Sequence, residues 1–167
     1  MNNVTEGASI LEQEETMVGK SKGPYYKMKI EGHGWLAFDA DKKTNPDLHL
    51  SVCEDENDPR VTNAIINKST KSYVKDKDKD FYTWAFYPYG KSGGLRLDYH
   101  FGTPPCELFG SKHDSTSVSW TLDNGIFLSS SEYKGYGLAL SIKDGKVVAD
   151  GKQQARVQLI EVPNPHQ

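Results

Sequence analysis

Apolar and polar residues alternate in short bursts along most of this chain. Tyr25-Tyr26-Lys27-Met28-Lys29-Ile30 puts Tyr26, Met28 and Ile30 on one face and Lys27 and Lys29 on the other, the period of a half-buried strand. Gly32-His33-Gly34 interrupts it, and Trp35-Leu36-Ala37-Phe38 resumes. A polar turn at 41–47 leads to Leu48-His49-Leu50-Ser51-Val52, where His49 falls on the polar face. Further strand-like pieces stand at 94–100, 106–109, 118–122, 126–130, 136–142, 146–149 and 155–162. Between them lie Gly-Thr-Pro-Pro at 102–105, Asp123-Asn124-Gly125, Asp144-Gly145 and Asp150-Gly151, turn sequences whose Asn and Gly tolerate a positive φ. Strands this short and this regularly punctuated predict an all-β fold, and no long amphipathic helix follows residue 24.

The pattern also repeats. Trp84-Ala85-Phe86 has the Trp-x-apolar form of Trp120-Thr121-Leu122, and Val157-Gln158-Leu159 repeats it with Val in the Trp place, at steps of 36 (84 to 120) and 37 (120 to 157) residues. Leu36-Ala37-Phe38-Asp39, Leu95-Arg96-Leu97-Asp98 and Leu138-Ala139-Leu140-Ser141 form a second series, each preceded by glycine (Gly34; Gly93 and Gly94; Gly137). Marker, intervening strands, Trp-type strand: the order recurs three times and predicts three units.

Residues 1–24 are polar and acidic and read as a flexible arm, residues 25–162 as the folded domain, and 163–167, with Pro163 and Pro165, as a tail. The stretch 54–80 reads as a charged insertion. Ala64-Ile65-Ile66 and Tyr73-Val74 form a short strand or hairpin within it, and Lys75-Asp76-Lys77-Asp78-Lys79-Asp80 makes a solvated tip. Alternating Asp also suggests a metal loop, but the glycine and terminal glutamate of a calcium loop are missing.

Composition narrows the functional classes. A formal net charge of −3 lacks the basic excess of an electrostatic nucleic-acid binder. No apolar run reaches the length of a signal peptide or a membrane span, so the expectation is a protein of the cytoplasm, or one secreted without a leader, with no membrane insertion. Cys53 and Cys106 are too few and too far apart for a disulfide framework or a thiolate zinc site, and read as free, buried or half-buried thiols. There is no GxSxG elbow, no HExxH and no P-loop, since Gly90-Lys91-Ser92 mimics only the end of one. The histidines at 33, 49, 100, 113 and 166 have no ligand-pair spacing, and no carboxylates are placed as an acid/base pair. The expectation is a non-enzymatic protein without cofactor or metal.

Three units of four short strands with a Trp-type residue on the last strand resemble the β-trefoil, and in pattern the ricin-B-type lectin modules and the fungal β-trefoil lectins and protease inhibitors. The resemblance is architectural and covers 25–162. It implies a closed six-stranded barrel capped by six further strands, with Trp84, Trp120 and Val157 packed in the core. It also implies sugar sites in the loops, where an Asp after the first marker strand binds hydroxyls beside an aromatic platform. Asp39 and Asp98 match that position and Ser141 departs from it, while Asn45, Tyr99, His100 and His113 stand where the partners would be supplied. Tyr82, Val118 and Ala155 replace the family's Gln two residues before the Trp. Capping of turns through the Asx side chain is the competing role for Asp39 and Asp98. The implied partners are glycans or glycoproteins. A protease held by the 54–80 or 102–105 loop is the alternative, and a homodimer stays open.

Overall fold

The computed structural model describes residues 23–39, 49–86, 95–111, 118–131 and 136–165, with the backbone alone at 70–73. Residues 1–22 of the arm expected at 1–24, the turn at 41–47, Asn45 and His113 lie outside these residues. Twelve strands and one helical turn follow in order. They are β1 (Tyr25–Ile30), β2 (Gly34–Phe38), β3 (Leu50–Cys53), α1 (Pro59–Thr62), β4 (Ile66–Asp76), β5 (Lys79–Phe86), β6 (Arg96–Tyr99), β7 (Cys106–Ser111), β8 (Trp120–Asp123), β9 (Ile126–Ser129), β10 (Ala139–Lys143), β11 (Lys146–Asp150) and β12 (Val157–Val162). The protein is all-β, and every strand pairing is antiparallel.

Six of the strands close on themselves. β12 pairs along the whole of β1, β4 along β5, and β8 along β9. These ribbons are joined by shorter contacts: Tyr26 opposite Ile66, Tyr82 opposite Trp120, and a bridge between Ile126 and Arg156. The remaining strands form the hairpins β2–β3, β6–β7 and β10–β11, each inserted between two strands of the ring. The hairpins meet through a bridge from His49 to Phe109 and through the pairing of Val148 with Glu107.

Local chemistry accounts for the turns. Asn124 and Gly125 sit at φ 52° and 83°, and Asp144 and Gly145 at 53° and 76°, the left-handed pairs that two-residue hairpins require. Gly34 has φ 117°, and a Cβ there would come within 2.6 Å of the Cys53 carbonyl oxygen, so β3 can approach only a glycine.

The charged stretch differs from the expected loop. Asp58 caps α1 by accepting the Arg60 N–H at 2.9 Å, Pro59 opens the helix, and Val61 is buried. From Ile66 the chain is one long strand, and the Lys/Asp run is a hairpin tip turning at Lys77 and Asp78, with φ 52° and 66°. Its alternating charges meet across the hairpin, Lys75 opposite Asp80 and Asp76 opposite Lys79, with a Lys75–Asp80 ion pair at 3.7 Å. The carboxylates of Asp76 and Asp80 thus face different partners, since Asp76 accepts from the Ser131 N–H at 2.7 Å and from the Ser131 hydroxyl at 2.6 Å. Among the described residues no three His, Cys, Asp or Glu side chains are placed to hold a metal ion.

The core fills the ring. Trp84, Trp120 and Val157 are buried, but Trp84 lies on β5, the neighbour of β8, whereas Trp120 and Val157 lie on β8 and β12. The strand that follows the first hairpin is β4, so Ile66, fully buried, holds the place taken by Trp120 and Val157. The Gly-Leu markers do recur in step, on or at the start of β2, β6 and β10. Trp120 is the largest wholly enclosed side chain. It stacks on Phe127 (centroids 5.2 Å, 18°), takes the edge of Tyr99 at 5.8 Å, and donates its indole N–H to the Leu97 carbonyl at 3.1 Å. Its own carbonyl accepts the indole N–H of Trp84 at 3.3 Å. Cys53 and Cys106 are free thiols, half-buried and buried respectively.

Trp120→Ala should cost about 3–5 kcal/mol, because it empties the centre of the ring and strands the Leu97 carbonyl. Urea unfolding followed by circular dichroism measures this. A loss under about 1 kcal/mol would mean that the core does not depend on Trp120.

Candidate functional site

The sequence-derived candidates separate. Asp39, half-buried at the end of β2, lies in the field of Arg60, whose guanidinium is clasped by Asp58 at 2.9 and 3.0 Å. Asp98 is 5% exposed and faces inward. It accepts the Tyr99 N–H at 2.8 Å and the Val118 N–H at 3.2 Å, and so pins the end of β6 to the entry of β8. Burial pushes its carboxyl up to about 6, against the pull of those two N–H groups, the Ser111 hydroxyl and His100. Tyr99 is 3% exposed. His100 is exposed and lies flat on Phe109, centroids 4.5 Å apart. On the same ring, His49 packs edge-on at 6.2 Å, with its Nδ1 3.5 Å from the Glu107 carboxylate, which Lys146 also approaches at 3.7 Å. Asp98, Tyr99 and His100 are thus consecutive but point to different environments, and Asp39 belongs to another hairpin.

What the fold does assemble is an aromatic ledge absent from that set. Phe101, just past β6, and Tyr136, just before β10, are 46% and 49% exposed, with ring centroids 4.7 Å apart and planes at 46°. Their support is rigid. Phe101 rests edge-on against buried Tyr99 at 6.2 Å. The Tyr99 hydroxyl accepts the Tyr136 N–H at 3.1 Å and shares a 2.8 Å hydrogen bond with the Ser129 hydroxyl. Ser129 in turn accepts the Leu138 N–H at 2.9 Å, and Gly137 donates to the Ser130 carbonyl at 3.2 Å. Burial raises the Tyr99 phenol above its usual range, so its proton stays on.

Two residues beyond Phe101 the chain enters the wall of an open groove of about 990 Å³. Thr103 to Pro105 form one side, the β10–β11 turn with Lys143 and Asp144 another, and the segment after β11 with Lys152 and Gln153 the third. Exposed rings, and hydroxyl, amide, ammonium and carboxylate groups in the groove, are chemistry suited to a ligand having an apolar face and many hydroxyls. The sequence hid this ledge because isolated Phe and Tyr beside strands read as core, and exposure is not written in residue type.

Comparison with protein-family models, with characterised proteins and with solved structures yields no match for this chain. No helix among the described residues is long and apolar enough to cross a membrane.

The raised Asp98 carboxyl makes stability depend on pH in a defined direction. Its folded value, about 6, exceeds the ordinary value of 3.8, so the folded state holds the proton more tightly between them. Asp98's contribution therefore weakens as pH rises from about 4 through 6, by up to about 3 kcal/mol. Asp98→Asn keeps an oxygen facing the two N–H groups and removes the titration. Between pH 4 and pH 8, urea unfolding should show the variant gaining on the wild type by about that amount. A difference constant with pH would exclude a raised Asp98.

Proposed function

We propose that this chain is a β-trefoil module that binds glycans without catalysing a reaction, and that the Phe101–Tyr136 ledge is its sugar platform. The ring of six strands with three inserted hairpins supports the trefoil reading, as do the markers that recur on β2, β6 and β10. The observation that carries the sugar reading is the ledge itself: two exposed rings backed by buried Tyr99, whose hydroxyl accepts the Tyr136 N–H and whose ring supports Phe101. A pyranose offers a CH face to such rings, and the groove beside them supplies donors and acceptors for its hydroxyls. Because Tyr136 is fixed through its backbone, little ordering entropy is lost on binding. Asp98 and Tyr99 support this platform from below, whereas Asp39 in the first hairpin is half-buried and adjoins a different surface.

A second reading has its own support. The 102–105 loop is exposed up to Pro104, and Pro104 and Pro105 restrict it, a form suited to docking into a protease cleft. The other loop of that reading, 54–80, is largely drawn into α1 and the β4–β5 ribbon.

A glycan array with the purified chain should give binding to a defined sugar class. Phe101→Ala and Tyr136→Ala should each weaken it by roughly tenfold, at unchanged unfolding midpoints because both side chains are exposed. Binding that both variants retain would remove the ledge from the site. Absence of glycan binding together with stoichiometric loss of activity in a protease panel would favour the second reading.

A further inference from the structure

At the opposite end of β9 from the ledge, the chain builds a second, smaller groove of about 360 Å³, lined by Lys29, Glu31, Gly125, Arg156, Val157 and Gln158. It lies where the ring closes. Arg156 makes the bridge to Ile126, its carbonyl accepts the Glu31 N–H at 2.9 Å, and Val157 donates to the Gly125 carbonyl at 2.8 Å. The Arg156 side chain is fixed as well. Its Nη2 donates to the Asn124 carbonyl at 2.9 Å, and its guanidinium lies so close to Gly125 that a Cβ there would come within 2.8 Å of it. The hairpin glycine thus serves the turn and also leaves room for the guanidinium. One of the five N–H donors is spent on Asn124, and the rest of the fork remains. Lys29, across the groove on β1, holds its ammonium 5.7 Å over the Trp35 ring.

Among the described residues neither Lys29 nor Arg156 forms an ion pair with a carboxylate, although Lys27, Arg60, Lys75, Lys79 and Lys146 all do. A guanidinium fork held in a fixed place and an ammonium on the neighbouring strand line one concave surface. Glu31, on the same rim, offsets only one of the two charges.

We propose that this groove binds a phosphate or sulfate monoester. An anion with three terminal oxygens can take the Arg156 fork on one side and the Lys29 ammonium on the other, which a carboxylate with two coplanar oxygens does less well. The volume exceeds that of the bare ion and leaves room for a larger molecule that carries the group. The site stands apart from the ledge and does not rest on the sugar reading.

The test uses the isotopically labelled full chain, titrated at constant ionic strength with inorganic phosphate, inorganic sulfate, sodium acetate and sodium chloride. The expected result is saturable movement of the backbone amides of Gly125, Arg156, Val157 and Gln158 with phosphate or sulfate, and none at Phe101 or Tyr136. Arg156→Lys, which keeps the charge and loses the fork, should weaken binding about tenfold. Lys29→Ala, whose side chain makes no structural hydrogen bond, should weaken it severalfold, and Glu31→Gln should tighten it. The proposal is overturned if acetate or chloride moves the same amides equally. It is likewise overturned if Lys29→Ala and Arg156→Lys both bind phosphate as the wild type does.

Discussion

Closure of the six-stranded ring is the constraint on which the rest of the molecule depends. Most of these strands are four to six residues long, too short to hold an open sheet together, and an open edge would expose unpaired N–H and C=O groups. The long ribbons β12–β1, β4–β5 and β8–β9 cannot pair end to end over their whole length, because each also sends a strand into a hairpin. The ring therefore closes through brief contacts, and side chains must supply what the ladders do not. Trp120 does so at the centre, tying β8 to the Leu97 carbonyl on β6 and to Trp84 on β5. Asp98 does so at the rim, accepting N–H groups on both sides of the chain's passage from β6 to β8. Arg156 does so at the last closure, bonded through backbone and side chain to three different turns or strands.

That arrangement explains which parts of the fold could be read from residue order. Local turn chemistry was legible: Asn124-Gly125 and Asp144-Gly145 announce hairpins because few other residues adopt their φ. The Gly-Leu markers were legible too, since Leu36 and Phe38, Leu95 and Leu97, and Leu138 and Leu140 must all point inward from equivalent hairpins. The Trp series was misleading in phase. Trp84 and Trp120 both fill the core, but from neighbouring strands of the ring, because a large aromatic can reach the centre from either. The Lys/Asp run was legible as a solvated tip but not as the turn of one long ribbon. Its turn uses Lys77 and Asp78 at positive φ, and only the pairing of opposite charges across the ribbon shows why that sequence tolerates it.

The candidate sites were less legible than the fold, for a physical reason. Asp98 and Phe101 are three residues apart, one an acid and one an aromatic, and their exposures are the reverse of what residue type suggests. An acid near the end of an inward marker strand is drawn under the following loop by the N–H groups it satisfies. Tyr99 still packs on Trp120, but past it the chain leaves the core, and Phe101 is turned out against Tyr136. Burying the carboxylate costs free energy at neutral pH, yet it fixes the backbone from which the ledge rises. Here stability is given up in the layer beneath a surface in exchange for rigidity at the surface.

The same reasoning links the two grooves. Each stands beside a place where the ring or a hairpin had to be secured by a polar group from a distant segment: the Tyr99 hydroxyl under the ledge, the Arg156 guanidinium at the closure. A polar group recruited for closure seldom exhausts its capacity. Tyr99 spends its hydroxyl on Ser129 and Tyr136 and leaves its ring to support Phe101. Arg156 spends one N–H and leaves the others at the surface. The two proposed sites both draw on what the closing interactions leave unspent. The support of the ledge and the Arg156 groove stand at the two ends of β9, at Ser129 and at Gly125.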